Sequence, residues 1–141
     1  MTVRVVRFGP GTFTLGTTPG TDYSCQVQSI GLVVNKDEGD SITTLCGDSV
    51  PGSISYDYSL EGTVLQDYTE ATGLVQFTWA NKGQPVEFAF TPSTTAGASV
   101  AGTVIVDPLS IGTADGAVGD VLTSDFAFAC VGEPTPTWPA P

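Results

Sequence analysis

The stretch Ser53-Ile-Ser-Tyr-Asp-Tyr-Ser-Leu-Glu-Gly-Thr-Val64 alternates apolar and polar side chains almost without a break. Successive side chains of an extended chain point to opposite faces. Ile54, Tyr56, Tyr58, Leu60 and Val64 therefore share one face, and Ser55, Asp57, Ser59 and Glu61 the other. This predicts a strand of an antiparallel sheet, with one side packed in the core and an acidic side in water. Tyr56 and Tyr58 are expected to pack beside Leu60.

Upstream, Tyr23, Cys25 and Val27 alternate with Ser24, Gln26 and Gln28, again a strand pattern. After Ser29 the parity switches to Ile30, Leu32 and Val34, which predicts a bulge or a strand that leaves its own sheet for another surface. Asn35-Lys-Asp-Glu-Gly-Asp40 reads as a polar turn, with 41–46 returning antiparallel. Residues 22–46 are thus expected to form a long hairpin with a protruding outer half. Residues 9–21 are rich in Gly, Thr and Pro, with Phe13 and Leu15 isolated among them, and 1–21 is read as an extended N-terminal arm.

Downstream, the apolar stripe Ala71, Leu74, Val75, Phe77, Thr78 and Asn81 predicts a helix over about 68–82. Asp67 and Glu70 are placed for a capping box, Lys82 for the last turn and Gly83 for the stop. Gly73 is expected to weaken this helix by roughly 1 kcal/mol relative to alanine. Three further alternating runs follow, carried by Val86, Phe88 and Phe90, by Val100, Val104 and Val106, and by Ser124, Phe126 and Phe128. The tail over 132–141 is too rich in proline to enter a central strand. The sum is a single domain over 1–141, mainly β, an antiparallel β-sandwich or half-barrel with one packed α-helix.

Composition narrows the function. Fifteen acids face only Arg4, Arg7, Lys36 and Lys82, a formal charge of −11. Such a surface repels phosphate, which excludes tight nucleic-acid binding and disfavours anionic membranes. There is no histidine, so histidine bases, Ser-His-Asp and Cys-His mechanisms are absent, and no glycine-rich phosphate loop occurs. Asp57 and Glu61 could share a strand face as paired carboxylates, but among fifteen acids such proximity carries no signal. The Asp37, Glu38, Asp40 cluster lacks calcium-loop spacing and reads as a solvated tip; Asp115 and Asp120 read as loop acids. No catalytic residue, cofactor or metal site is assigned, and the chain is expected not to be an enzyme.

Cys25, Cys46 and Cys130 are too widely spaced for a metal or redox pair. They are expected to be buried thiols in a reducing cytoplasm, with a Cys46–Cys130 bridge as the alternative. The opening residues have basic side chains but no following apolar run, so no secretory signal is expected. Trp79 is expected to be a helix-packing residue and Trp138 an aromatic that rests on a partner.

Several phrases resemble a known family. Leu74-Val-Gln-Phe-Thr-Trp-Ala-Asn-Lys-Gly-Gln-Pro-Val-Glu-Phe-Ala-Phe-Thr-Pro92, Gly102-Thr-Val-Ile-Val-Asp-Pro108, Gly119-Asp-Val-Leu-Thr-Ser-Asp-Phe126 and Cys130-Val-Gly-Glu-Pro134 are similar to segments of major tail proteins of siphophages that infect actinobacteria. The resemblance spans roughly 40–138 and implies a tail-tube fold. It implies six-membered rings that stack into a tube, a homo-oligomer with tape measure and tail terminator proteins as partners. Double-stranded DNA would pass through without specific binding during ejection into the host. Localisation in the virion tail, after assembly in the host cytoplasm, follows. Contacts between rings would fall on 9–21 and 22–46, with Phe13, Leu15, Ile30, Leu32, Val34, Asp37 and Glu38 as candidates. Ser55, Asp57, Ser59 and Glu61 are the candidate lumen face. The competing readings are a secreted β-sandwich binding module, carbohydrate-binding or Ig-like, and a capsid decoration protein.

Overall fold

The computed structural model describes residues 2–16, 20–69 and 73–139. Its strands are β1 (Thr12–Leu15), β2 (Thr21–Asp22), β3 (Val27–Glu38), β4 (Ile42–Thr43), β5 (Ser49–Val50), β6 (Ile54–Leu65), β7 (Pro85–Thr91), β8 (Ser99–Ile105), β9 (Thr123–Ala129) and β10 (Thr135–Thr137). One helix, α1 (Leu74–Ala80), lies between β6 and β7. One sheet has the order β10-β8-β7-β1-β2 and a second β3-β6-β9; β4 and β5 form a separate small ribbon. Every pairing is antiparallel. A Val104–Cys130 bridge and a bond from Val131 N to Thr103 O (2.8 Å) tie β8 to the end of β9. The two sheets thus join along one side, a sandwich partly closed as a half-barrel.

Alternation places the core. Val86, Phe88 and Phe90 of β7 are buried while Glu87 and Ala89 are exposed. In β9, Ser124, Phe126 and Phe128 are buried while Asp125 and Ala127 are exposed. These residues meet Leu60 and Val64 of β6, Val104 of β8, Ile30 of β3 and the inner face of α1 in one cluster. Each large apolar side chain so buried contributes about 1.5–3 kcal/mol.

The structure corrects several expectations. The long hairpin is not 22–46: β3 pairs with β6, from Val27 opposite Val64 to Glu38 opposite Ile54. Residues 41–46 do not return along β3, because Ile42 and Thr43 pair with Val50 and Ser49 instead. The bulge does occur, as a register shift between Val27 and Ser29. Ser24–Gln26 is a 3₁₀ turn rather than strand, held as Ser24 Oγ accepts from Phe13 N at 2.8 Å. Gly62 lies beside this bulge, where a Cβ would collide with the Ser29 carbonyl oxygen and approach Ile30 Cα to 2.8 Å.

The arm is also corrected in part. Thr12–Leu15 is an interior strand between β7 and β2, and Phe13 (2 % exposed) and Leu15 (1 %) are core residues. Isolated in sequence, they meet Phe90 and Phe88 as register partners on β7. Positions 17–19, 70–72 and 140–141 of the expected arm, helix and tail lie outside the described residues, Glu70 and Ala71 among them. The helix is shorter than 68–82, with Gly73 as its extended N-cap (φ −60°, ψ 153°), so the glycine avoids the helical cost. Asp67 does not cap it; its Oδ1 accepts from Thr69 N at 3.2 Å and Thr69 Oγ1 at 3.0 Å. Lys82 lies past Ala80, and Gly83 turns the chain at φ +75°, donating to Val106 O at 2.7 Å. The proline-rich tail takes an edge position as β10, where Pro136 stands opposite Val100.

Candidate functional site

β6 has two environments along one face. Leu60 and Val64 are fully buried, but Tyr56 (55 % exposed) and Ile54 are open and Tyr58 is half-buried. The tyrosines therefore do not pack in the core as expected: β9 accompanies β6 only from Ser59 onward, and neither tyrosine joins the core cluster. The outer part of the β3–β6 hairpin projects as a two-stranded ribbon, extended by the β4–β5 tip. Lys36 and Glu38 share the Tyr56 face and pair at 3.5 Å.

The opposite face of β3-β6-β9 is mostly polar, with Val33 and Ala129 beside Ser59 as its apolar row. Register sets Asp37 beside Ser55, Asn35 beside Asp57, Gly31 and Ala127 beside Glu61, and Ser29 and Asp125 beside Thr63. Ser59 Oγ donates to Glu61 Oε2 at 2.7 Å, and Thr63 Oγ1 to Asp125 Oδ1 at 2.7 Å. Asp37, Asp57, Glu61 and Asp125 thus stand on one sheet face, and none of the residues paired there is a cation. Ser55, Asp57, Ser59 and Glu61 are brought together as the alternation predicted. Asp125 and Thr63 were missed, since their place depends on a pairing across sixty-two residues. Their signal was the Thr123, Asp125, Ala127 parity, which lacks meaning until the β6 register is known.

The other candidates divide. Phe13 and Leu15 are enclosed in the core and are not available to a neighbour. Ile30 is buried and Leu32 partly so, while Val34, Asp37 and Glu38 are exposed on the projecting part. Asp37 and Glu38 point to opposite faces, so they do not converge as a cluster. Asp120 Oδ2 accepts from Ala117 N at 2.7 Å within its own turn. Trp79 is not the packed helix residue expected: it donates from Nε1 to Leu109 O at 2.9 Å but is 45 % exposed and outside the core cluster, and Trp138 is exposed beyond β10.

The three cysteines are free, with no Cys46–Cys130 bridge, and Cys25 and Cys46 are exposed rather than buried. The Thr44 hydroxyl, 3.2 Å from the Cys46 thiol, lowers that thiol's pKa, whereas burial raises that of Cys130.

On one edge of this three-stranded sheet stands β3, twelve residues long, and on the other β9. Neither has a second partner within the sheet. Long open edges are templates for pairing with another chain.

No protein-family model matches the sequence, and no curated protein matches it. Among solved structures, the chain is similar to one in the virion of a native gene transfer agent (GTA) particle. The two superpose with a TM-score of 0.61 at 14 % identity, over 89 % of this chain and 95 % of that one. The two chains therefore share one mainly β fold over most of their lengths.

Proposed function

We propose that the chain is a structural, non-catalytic virion subunit that closes into rings and stacks into a tail tube. The observation that carries this reading is the acidic, cation-free face of a three-stranded sheet whose β3 edge, and whose β9 edge up to Ala129, pair with no further strand of the sheet, in a fold shared with a virion chain. Pairing the β3 edge of one copy with the β9 edge of the next would satisfy exposed backbone groups and close a cyclic assembly. Six copies, the number implied by the tail-protein resemblance, would present the Ser55, Asp57, Ser59, Glu61 face to the axis. DNA carries about one charge per 1.7 Å of axis, so an acidic wall would guide it without adhesion. The projecting hairpin would reach the adjacent ring, and tape measure and terminator proteins would fill and end the tube.

Negative-stain microscopy of concentrated purified protein tests this directly. Hollow rings or tubes are expected. Solid particles, trimers or a strictly monomeric sample would overturn the reading and leave a decoration protein or a lone binding module.

A further inference from the structure

The two sides of β6 are unequally occupied. On one side β3 accompanies it from Val64 down to Ile54. On the other, β9 runs only to Ala129 opposite Ser59, and the last bond there is from Cys130 N to Tyr58 O at 2.9 Å. The chain then crosses to the five-stranded sheet, where Cys130 bridges Val104 and Val131 N donates to Thr103 O at 2.8 Å. That crossing leaves an open lane beside residues 54–57 of β6, about 13 Å of strand at about 3.3 Å per residue.

Ladder alternation fixes which backbone groups face this lane. Successive residues of an antiparallel strand turn their N–H and C=O to opposite sides. Tyr58 O accepts from Cys130 N, and Gln66 N donates to Leu122 O at 3.0 Å, so the even-numbered residues of β6 face the β9 side. The N–H and C=O of Ile54 and Tyr56 therefore point into the lane, and no group among the described residues bonds them there. The side chains divide as well. Ile54 and Tyr56 expose apolar surface on one face, Ser55 and Asp57 stand on the other, and Glu133 lines the inner end beside Tyr58. Asp57 and Glu133 line this groove without a cation, and Lys36, opposite Tyr56 on β3, is already paired with Glu38.

We propose that the lane takes an extended peptide of a different protein, one in which basic and apolar residues alternate, as an added strand continuing the line of β9. The residue opposite Tyr56 would exchange both backbone bonds with it and lay an apolar side chain on the exposed ring. The next residue would set an arginine or lysine beside Asp57. Backbone bonds supply the hold and alternate side chains the selectivity, and opposite charges directly across a ladder favour each other. This chain offers little of that kind, since its alternating runs lie within its own sheets. Its basic stretch, 2–8, breaks the alternation at Val5 and Val6, so Arg4 and Arg7 would fall on opposite faces of a strand. The lane is open in the single subunit, so the proposal does not depend on ring closure.

The probe is a short fluorescein-labelled peptide of alternating arginine and valine, added to the full-length protein and read by fluorescence anisotropy and amide hydrogen exchange. Saturable binding is expected, with exchange slowed at Ile54 and Tyr56. The same peptide N-methylated at its valines, the residues that would bond Tyr56, should not bind, nor should a peptide of alternating glutamate and valine. Asp57→Lys should weaken binding about fivefold or more. Tyr56→Pro removes a donor that faces the lane but no bond to β3, and should abolish binding at an unchanged circular dichroism spectrum. No binding, equal binding of the N-methylated peptide, or protection confined to the outer edge of β3 would overturn the proposal. So would Ile54 and Tyr56 amides that are already protected in the free protein and released by Arg4→Glu with Arg7→Glu, because the chain's own segment would then fill the lane.

Discussion

At the residue scale, the acidic face and the crowded glycine carry the sharpest expectations. Asp57 is exposed and Glu61 partly exposed on the polar face of β6, and neither belongs to the core cluster. Replacing both by lysine should leave folding and tube formation intact while slowing DNA ejection, because cations on the wall would hold phosphate. Unchanged ejection kinetics would remove these residues from the lumen. Gly62 is different, since any side chain there meets the β3 backbone at the bulge. Gly62→Ala should lower stability by about 2 kcal/mol or more, read as a fall in urea midpoint at unchanged slope. The thiols should also separate by rate: with its lowered pKa, exposed Cys46 should label with maleimide faster than half-buried Cys130, whose pKa burial raises. Equal rates would contradict the geometry around Thr44.

At the element scale, the short helix depends on one clasp. Thr78 is buried; its hydroxyl donates to Val75 O at 2.8 Å and accepts from Leu109 N at 3.3 Å. Thr78→Val keeps the volume but leaves the Leu109 amide unmatched, which should cost about 1–3 kcal/mol. A seven-residue helix has little stability of its own, so it exists because this clasp and the sheets hold it. The segment after β8 is held in the same way: Gln66 binds both Gly112 N (2.8 Å) and Gly112 O (2.9 Å), and Ser124 Oγ accepts from Ser110 N (3.0 Å). By contrast the hairpin tip touches none of the core cluster. Replacing 40–52 by a short Gly-Ser turn should leave the melting temperature of the monomer within a few degrees yet abolish ring stacking in the microscope.

At the scale of the whole molecule, one cluster joins β1, β3, β6, β7, β8, β9 and α1, so no part of the body has a separate core. The free monomer should unfold in a single step, with far-UV circular dichroism and Trp79 fluorescence (in a Trp138→Phe background) tracing coincident urea transitions. Separated transitions would mean that the two sheets fold independently. The net charge of −11 opposes gathering many copies around an axis, so moderate salt should promote assembly by screening it.

The local alternation of β6, β7, β8 and β9 was legible from residues alone, and with it the β class, the acidic face and the core phenylalanines. A period of two is written into each strand by backbone geometry and needs no knowledge of its neighbours. The helix was seen but drawn too long, because Asp67 and Lys82 suit helix ends whether or not the chain uses them. What only the tertiary structure decided is partnership: that β3 pairs with β6 rather than with 41–46, that Phe13 and Leu15 join the core, and that Tyr56 stays outside it. Register and burial arise from contacts between residues distant in the chain, where several pairings satisfy the same local pattern and the shared core selects one.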